Sequence, residues 1–133
     1  MRRLGVAISL VVLASACTGT DQKADSPARG SRGPQAAVTG LCEAQSLASG
    51  GGLDEARQVF QDESHAYLHQ LAADLQERDR SLAAELLEAK QQVERALQAG
   101  GDAELLTDLI GRLRMVVETA LASMGMANVG CFK

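Results

Sequence analysis

Two runs of glycine, Gly50-Gly51-Gly52 and Gly100-Gly101, cut a sequence whose apolar residues otherwise recur every three or four positions. Glycine loses the most backbone entropy in a helix, so each run reads as a terminator between helical stretches. Residues 41–49 form a short first helix. A second starts near Leu53, where Asp54 and Glu55 complement the positive N-terminal end of the helix dipole. Stepping about 100° per residue, Leu53, Ala56, Phe60, Ser64, Tyr67, Leu68, Leu71 and Leu75 fall close to one line. A third stretch repeats Leu82, Leu86, Ala89, Val93 and Leu97. Asp102 is placed to cap a fourth, running through Leu105, Leu106, Leu109, Ile110, Leu113, Val116, Val117, Ala120, Leu121 and Met124. This last stretch is the most apolar and is expected to be the most buried. No convincing strand is present, so the fold class is all-α.

The join between the second and third stretches, Glu77-Arg78-Asp79-Arg80-Ser81, holds neither Gly nor Pro. A fused helix would run about 68 Å, too long for the remaining helices to cover. A turn is therefore expected, with Asp79 or Ser81 as N-cap. The cysteines supply a second argument. Of the three in the chain, Cys42 and Cys131 make an even pair if Cys17 is otherwise used. In an up-down bundle of four helices, the start of the first and the end of the last lie together; with three helices they lie apart. A Cys42–Cys131 disulfide thus favours a small up-down four-helix bundle, its first helix short, closed by that bond.

The start of the chain has a different character. Arg2 and Arg3 precede an apolar run, Leu4 to Leu13, too short to span a bilayer, followed by the small residues Ala14, Ser15 and Ala16. Residues 1–16 read as a signal peptide. Leu13-Ala14-Ser15-Ala16-Cys17 resembles the cleavage region of bacterial lipoproteins, a resemblance confined to the signal. It implies that Cys17 becomes the lipidated N-terminus of the mature chain, with extracytoplasmic placement, in the periplasm or on the cell surface. Two acyl chains hold a bilayer far more firmly than one, each buried methylene adding roughly 0.8 kcal/mol. Ala14-x-Ala16 also satisfies the general signal peptidase, so simple secretion is the alternative. Residues 17–40 carry both prolines, several glycines and only one large apolar side chain, Val38. They read as a disordered tether, since so little burial cannot offset the entropy of ordering. Residues 41–133 are then the helical domain.

Charge narrows the partners. Taking Arg2, Arg3, Lys23, Arg29, Arg32 and Asp21, Asp25 from the chain's 13 basic and 17 acidic residues leaves 8 and 15, or −7 on the domain. Such a surface repels nucleic acid. Phe60, Tyr67 and Phe132 are the only aromatics, which leaves no stacking platform for bases or sugars. Serines lack a nucleophile context, and Gly50-Gly51-Gly52 follows no strand as a phosphate loop would. The sequence gives no reason to expect an enzyme.

One constellation has ligand chemistry. Asp62, His65 and His69 are spaced three and four residues apart, on one side of the second helix and away from its main apolar line. Two imidazoles and a carboxylate suit zinc, copper or nickel. Such a site is incomplete on one helix; a fourth ligand would come from water or from another helix, where Glu85 and Glu88 are candidates. The competing reading is a solvated polar face. The metalloprotease pattern is not met, because Ala66-Tyr67-Leu68 between the histidines lacks a carboxylate.

Gly52-Leu53-Asp54-Glu55-Ala56, with Phe60 four residues on, is similar to the rhythm of tetratricopeptide units and to the last helix of small extracytoplasmic four-helix-bundle cytochromes. The first resemblance implies a period that does not recur downstream. The second implies a haem ligand on the apolar face, where neither histidine falls, and no Cys-x-x-Cys-His is present. The expectation is therefore a membrane-tethered lipoprotein acting as a non-catalytic binding or accessory module of the cell envelope, with a protein partner. The alternative is a metal-binding lipoprotein using Asp62, His65 and His69.

Overall fold

The computed structural model describes residues 33–131, so the signal peptide, Cys17 and most of the tether lie outside the described residues. The chain forms α1 (Pro34–Ser49), α2 (Leu53–Val59), a π-helical turn (Phe60–Ser64), α3 (His65–Gln76), α4 (Arg80–Ala99) and α5 (Ala103–Ser123). The π turn joins α2 to α3 without a break, so the architecture is four helical rods and, among the described residues, no strand. α1 packs on α5 and on α2 with the π turn; α3 packs on α4, and α4 on α5. That closes a ring of four around one core. Phe60, Leu41, Leu68, Leu75, Leu86, Ile110, Leu113 and Leu121 are fully buried in it.

The stops and starts are those of the residues. Gly51 and Gly100 take φ +83° and +61°, where other residues are strained. Asp79 accepts from the Leu82 amide at 3.0 Å, and Asp102 from those of Glu104 and Leu105 at 2.8 and 3.3 Å. Each satisfies amides that the first turn of a helix leaves unpaired. The last helix is amphipathic rather than uniformly buried: Leu105 and Met115 are exposed.

The first helix departs from expectation in both start and length. It begins at Pro34, not Leu41, and is 16 residues long. Proline at the first helical position has its φ already set and lacks an amide that would be unpaired there. Ala37, Val38 and Gly40, assigned by the sequence to a tether, are buried. Val38 joins the core, and Gly40 contributes closeness rather than bulk. A Cβ on Gly40 would lie 2.5 Å from Glu63 Cβ and 2.7 Å from Ser64 Oγ, so the backbone of α1 rests directly on the π turn. The buried Ser64 hydroxyl donates to the Ala37 carbonyl at 2.8 Å across that contact.

The π turn has a legible cause. Ala56, Phe60, Ser64 and Leu68 are all buried, a run of four-residue steps. In an α-helix each such step rotates the face by about 40°. A wider turn, closed by the His65 amide on the Phe60 carbonyl, takes up the drift and keeps all four residues inward.

Cys42 and Cys131 are joined in a disulfide with their Cα atoms 5.9 Å apart. Because α1 starts early, Cys42 lies well inside it rather than at its start. The segment after α5 therefore turns back along the bundle to reach it. Gly125, at φ +83°, makes the reversal, Met126 and Val129 pack against the core, and Gln35 Nε2 donates to the Gly130 carbonyl at 2.8 Å.

Candidate functional site

The polar ridge comes first. His65 opens α3, directly after the π turn, and its ring stands edge-on to that of His69 one turn later, centroids 4.7 Å apart. His65 Nε2 lies 2.9 Å from Glu94 Oε1 on α4, and Lys90 Nζ is 2.6 Å from the same oxygen. The Lys90 side chain is only 5% exposed. An ammonium so buried needs its carboxylate, and Glu94 is held in place by donors from both side chains.

The charges act on each other in consistent directions. Burial lowers the His69 pKa, the positive Lys90 and His65 lower it further, and Glu94 opposes them. Burial alone would raise that of Glu94. The hydrogen bond and charge of Lys90, joined by His65, outweigh burial and hold the carboxyl below its usual range.

The expected ligand set looks different in this setting. Asp62 sits half-buried in the π turn, and among the described residues no group of three His, Cys, Asp or Glu side chains converges as a metal site. The α4 carboxylate that meets His65 is Glu94, not Glu85 or Glu88. Glu88 accepts instead from Gln92 at 3.2 Å, and Glu85 lines a shallow groove with Arg112 and Met115. Lys90 places a positive charge beside the imidazoles, which disfavours a second cation there. Glu94 was missed because its importance comes from α3 lying against α4. The i,i+4 spacing of Lys90 and Glu94 was the available signal.

A groove between α1 and α5, about 510 Å³ in volume, is the second feature. Thr39, Cys42, Gln45, Thr107, Arg114 and Cys131 are among its walls. Its floor is a close helix crossing: a Cβ on Gly111 would lie 2.7 Å from Gln45 Nε2, which donates to the Thr107 carbonyl at 3.3 Å. The disulfide forms part of one wall. There Arg114 Nη1 donates to Cys131 Sγ at 2.8 Å. The rest of the guanidinium is loosely held, with Nε buried without a hydrogen-bond partner and 3.9 Å from Glu118 Oε1.

Such a groove has the volume of a small-ligand or side-chain pocket, with hydroxyls, an amide and one guanidinium to orient an occupant. The fold and site together define a small, all-α, disulfide-closed four-helix bundle. No family profile, curated protein or solved structure matches the chain.

Proposed function

We propose that this chain is an extracytoplasmic lipoprotein, tethered to the membrane through Cys17, that serves the cell envelope as a non-catalytic binding or accessory module. The observation that carries this reading is the Cys42–Cys131 bond. Disulfides form and persist in oxidising compartments and are rare where thiols are kept reduced. With that pair spent on each other, the one remaining cysteine is Cys17, which directly follows the small-residue run of the signal. Among the described residues no helix is long and apolar enough to cross a membrane, so the tether would carry attachment. The α1–α5 groove is the surface offered to a protein partner, its polar groups set among more apolar surface to receive a projecting side chain or chain end.

Mass spectrometry of the mature protein from its host's membranes tests this. The expected spectrum shows residues 1–16 removed, a diacyl mass on Cys17 and two hydrogens missing at Cys42 and Cys131. A chain released after Ala16 with a free Cys17 would replace the lipoprotein reading with simple secretion. A retained signal with reduced cysteines would overturn the placement altogether.

A further inference from the structure

The disulfide lies in the wall of the groove, with Cys42 packed against the edge of the core. Cys131 is exposed and Cys42 half-buried, and both line the cavity. Disulfides that serve only to close a fold are commonly shielded; this one is open to a thiol entering from α1 and α5. The two sulfurs also differ. Arg114 reaches Cys131 Sγ at 2.8 Å. Among the described residues no comparable cation stands at Cys42: the groove residues near it are Thr39, Glu43, Gln45 and Ser46.

Thiol–disulfide exchange proceeds in line, and its rate rises as the departing thiol becomes more acidic. A neighbouring guanidinium stabilises a thiolate and so marks out the better leaving group. We propose that Cys42–Cys131 is a directional thiol-exchange site, at which the thiolate of a partner attacks Cys42 Sγ and expels Cys131 as a thiolate held by Arg114. The incoming sulfur forms a new S–S bond to Cys42, the Cys42–Cys131 bond breaks, and its electron pair leaves on Cys131. The chain is reduced at Cys131 and the partner oxidised into the mixed disulfide, so no other reductant is needed. Exchange also removes the covalent tie between the returning segment 125–131 and α1, leaving the Gln35 bond to Gly130 and the packing of Met126 and Val129 to hold it. Glu118, 3.9 Å from Arg114 Nε, draws part of the guanidinium's charge away from the sulfur. The exchange does not depend on whether Cys17 is lipidated.

The test treats the full chain, disulfide intact, with millimolar reduced glutathione at pH 7.5. Acid quenching, alkylation and peptide mapping then locate the adduct and separate Cys17 from the pair. The expected map shows glutathione on Cys42 and the alkyl label on Cys131. Arg114→Gln should slow exchange about tenfold and spread the adduct over both sulfurs, while Arg114→Lys keeps most of the rate and the direction. Glu118→Gln, which leaves the guanidinium to the sulfur alone, should accelerate exchange by two- to threefold, and it stands as the test if Arg114→Gln does not fold. Glutathione on Cys131, equal labelling in the native chain, unchanged rates in the Glu118 and Arg114 variants, or reaction only after unfolding in urea would each overturn the proposal.

Discussion

The helix α1 meets its two neighbours across a glycine on each side, and the two contacts are built differently. Toward the π turn the glycine is its own Gly40, and what fills the space of the missing Cβ is Glu63 Cβ, fixed by the opposing backbone, and Ser64 Oγ, held by its hydrogen bond to the Ala37 carbonyl. Toward α5 the glycine is the partner's Gly111, and the space is filled by Gln45 Nε2, the far end of a flexible side chain. The first contact is rigid and has a buried hydrogen bond across it. The second can adjust, and the groove and the disulfide lie along it. A bundle this small thus keeps one face of α1 as a fixed reference while the other stays able to receive something.

Breaking the adjustable side covalently should have the largest effect. Replacing Cys42 and Cys131 with serine removes a crosslink spanning a sequence separation of 89. On the chain-entropy model that costs about 4 kcal/mol, read as a fall in the urea midpoint. A shift below about 1 kcal/mol would mean that the noncovalent α1–α5 contact suffices alone. Gly40→Ala attacks the rigid side and should cost about 2 kcal/mol, because the backbones must separate to admit a methyl group. If it is neutral, the close contact is softer than its geometry.

The α3–α4 side offers a third kind of contact, sensitive to pH. The pKa values of Glu94 and His69 are both lowered by folding, so the unfolded chain binds more protons than the folded one between the unfolded and folded values. Stability therefore rises with pH: across the region below about 6.5 for His69 and below about 4.5 for Glu94. Urea midpoints from pH 3 to 8 should show this rise, with its acid part flattened in Glu94→Gln; a flat native profile would remove the coupling. The smallest effect belongs to Gly111→Ala. Alanine gains up to about 1 kcal/mol of helix propensity, and moving the Gln45 amide off the Thr107 carbonyl loses about as much, so the midpoint should barely change. A loss as large as that of Gly40→Ala would erase the distinction between the two faces.

What could be read in the sequence was what large residues and punctuation encode. Asp79 and Asp102 cap helices as their positions suggest, the four rods are present, and the cysteine pair closes them. The start of α1 escaped notice because its packing face at Ala37, Gly40 and Ala44 is made of small residues, which hydrophobic periodicity discounts. The π turn was hidden for a related reason. Ser64 lies on the apolar line of an ideal helical wheel, and nothing in that projection tells a serine facing a carbonyl of α1 from one merely tolerated. The ridge was legible only as far as one helix. His65 and His69 could be placed on a common side, but Lys90 and Glu94, which decide what that side can bind, come from a helix whose register depends on tertiary packing. The groove left still less signal, since its walls come from residues distant in sequence.

The return of the C-terminal segment to the middle of α1 also sets how the protein would bear a mechanical load. Tension applied between the two ends of the chain enters at Pro34, follows α1 as far as Cys42, crosses the sulfur–sulfur bond and leaves through Cys131. The second, third and fourth rods form a slack loop outside that path. Pulled at Pro34 and Cys131, the oxidised domain should lengthen by little more than the first turns of α1. After reduction the same pull should unravel the whole bundle, a difference that a single-molecule stretching trace would show directly.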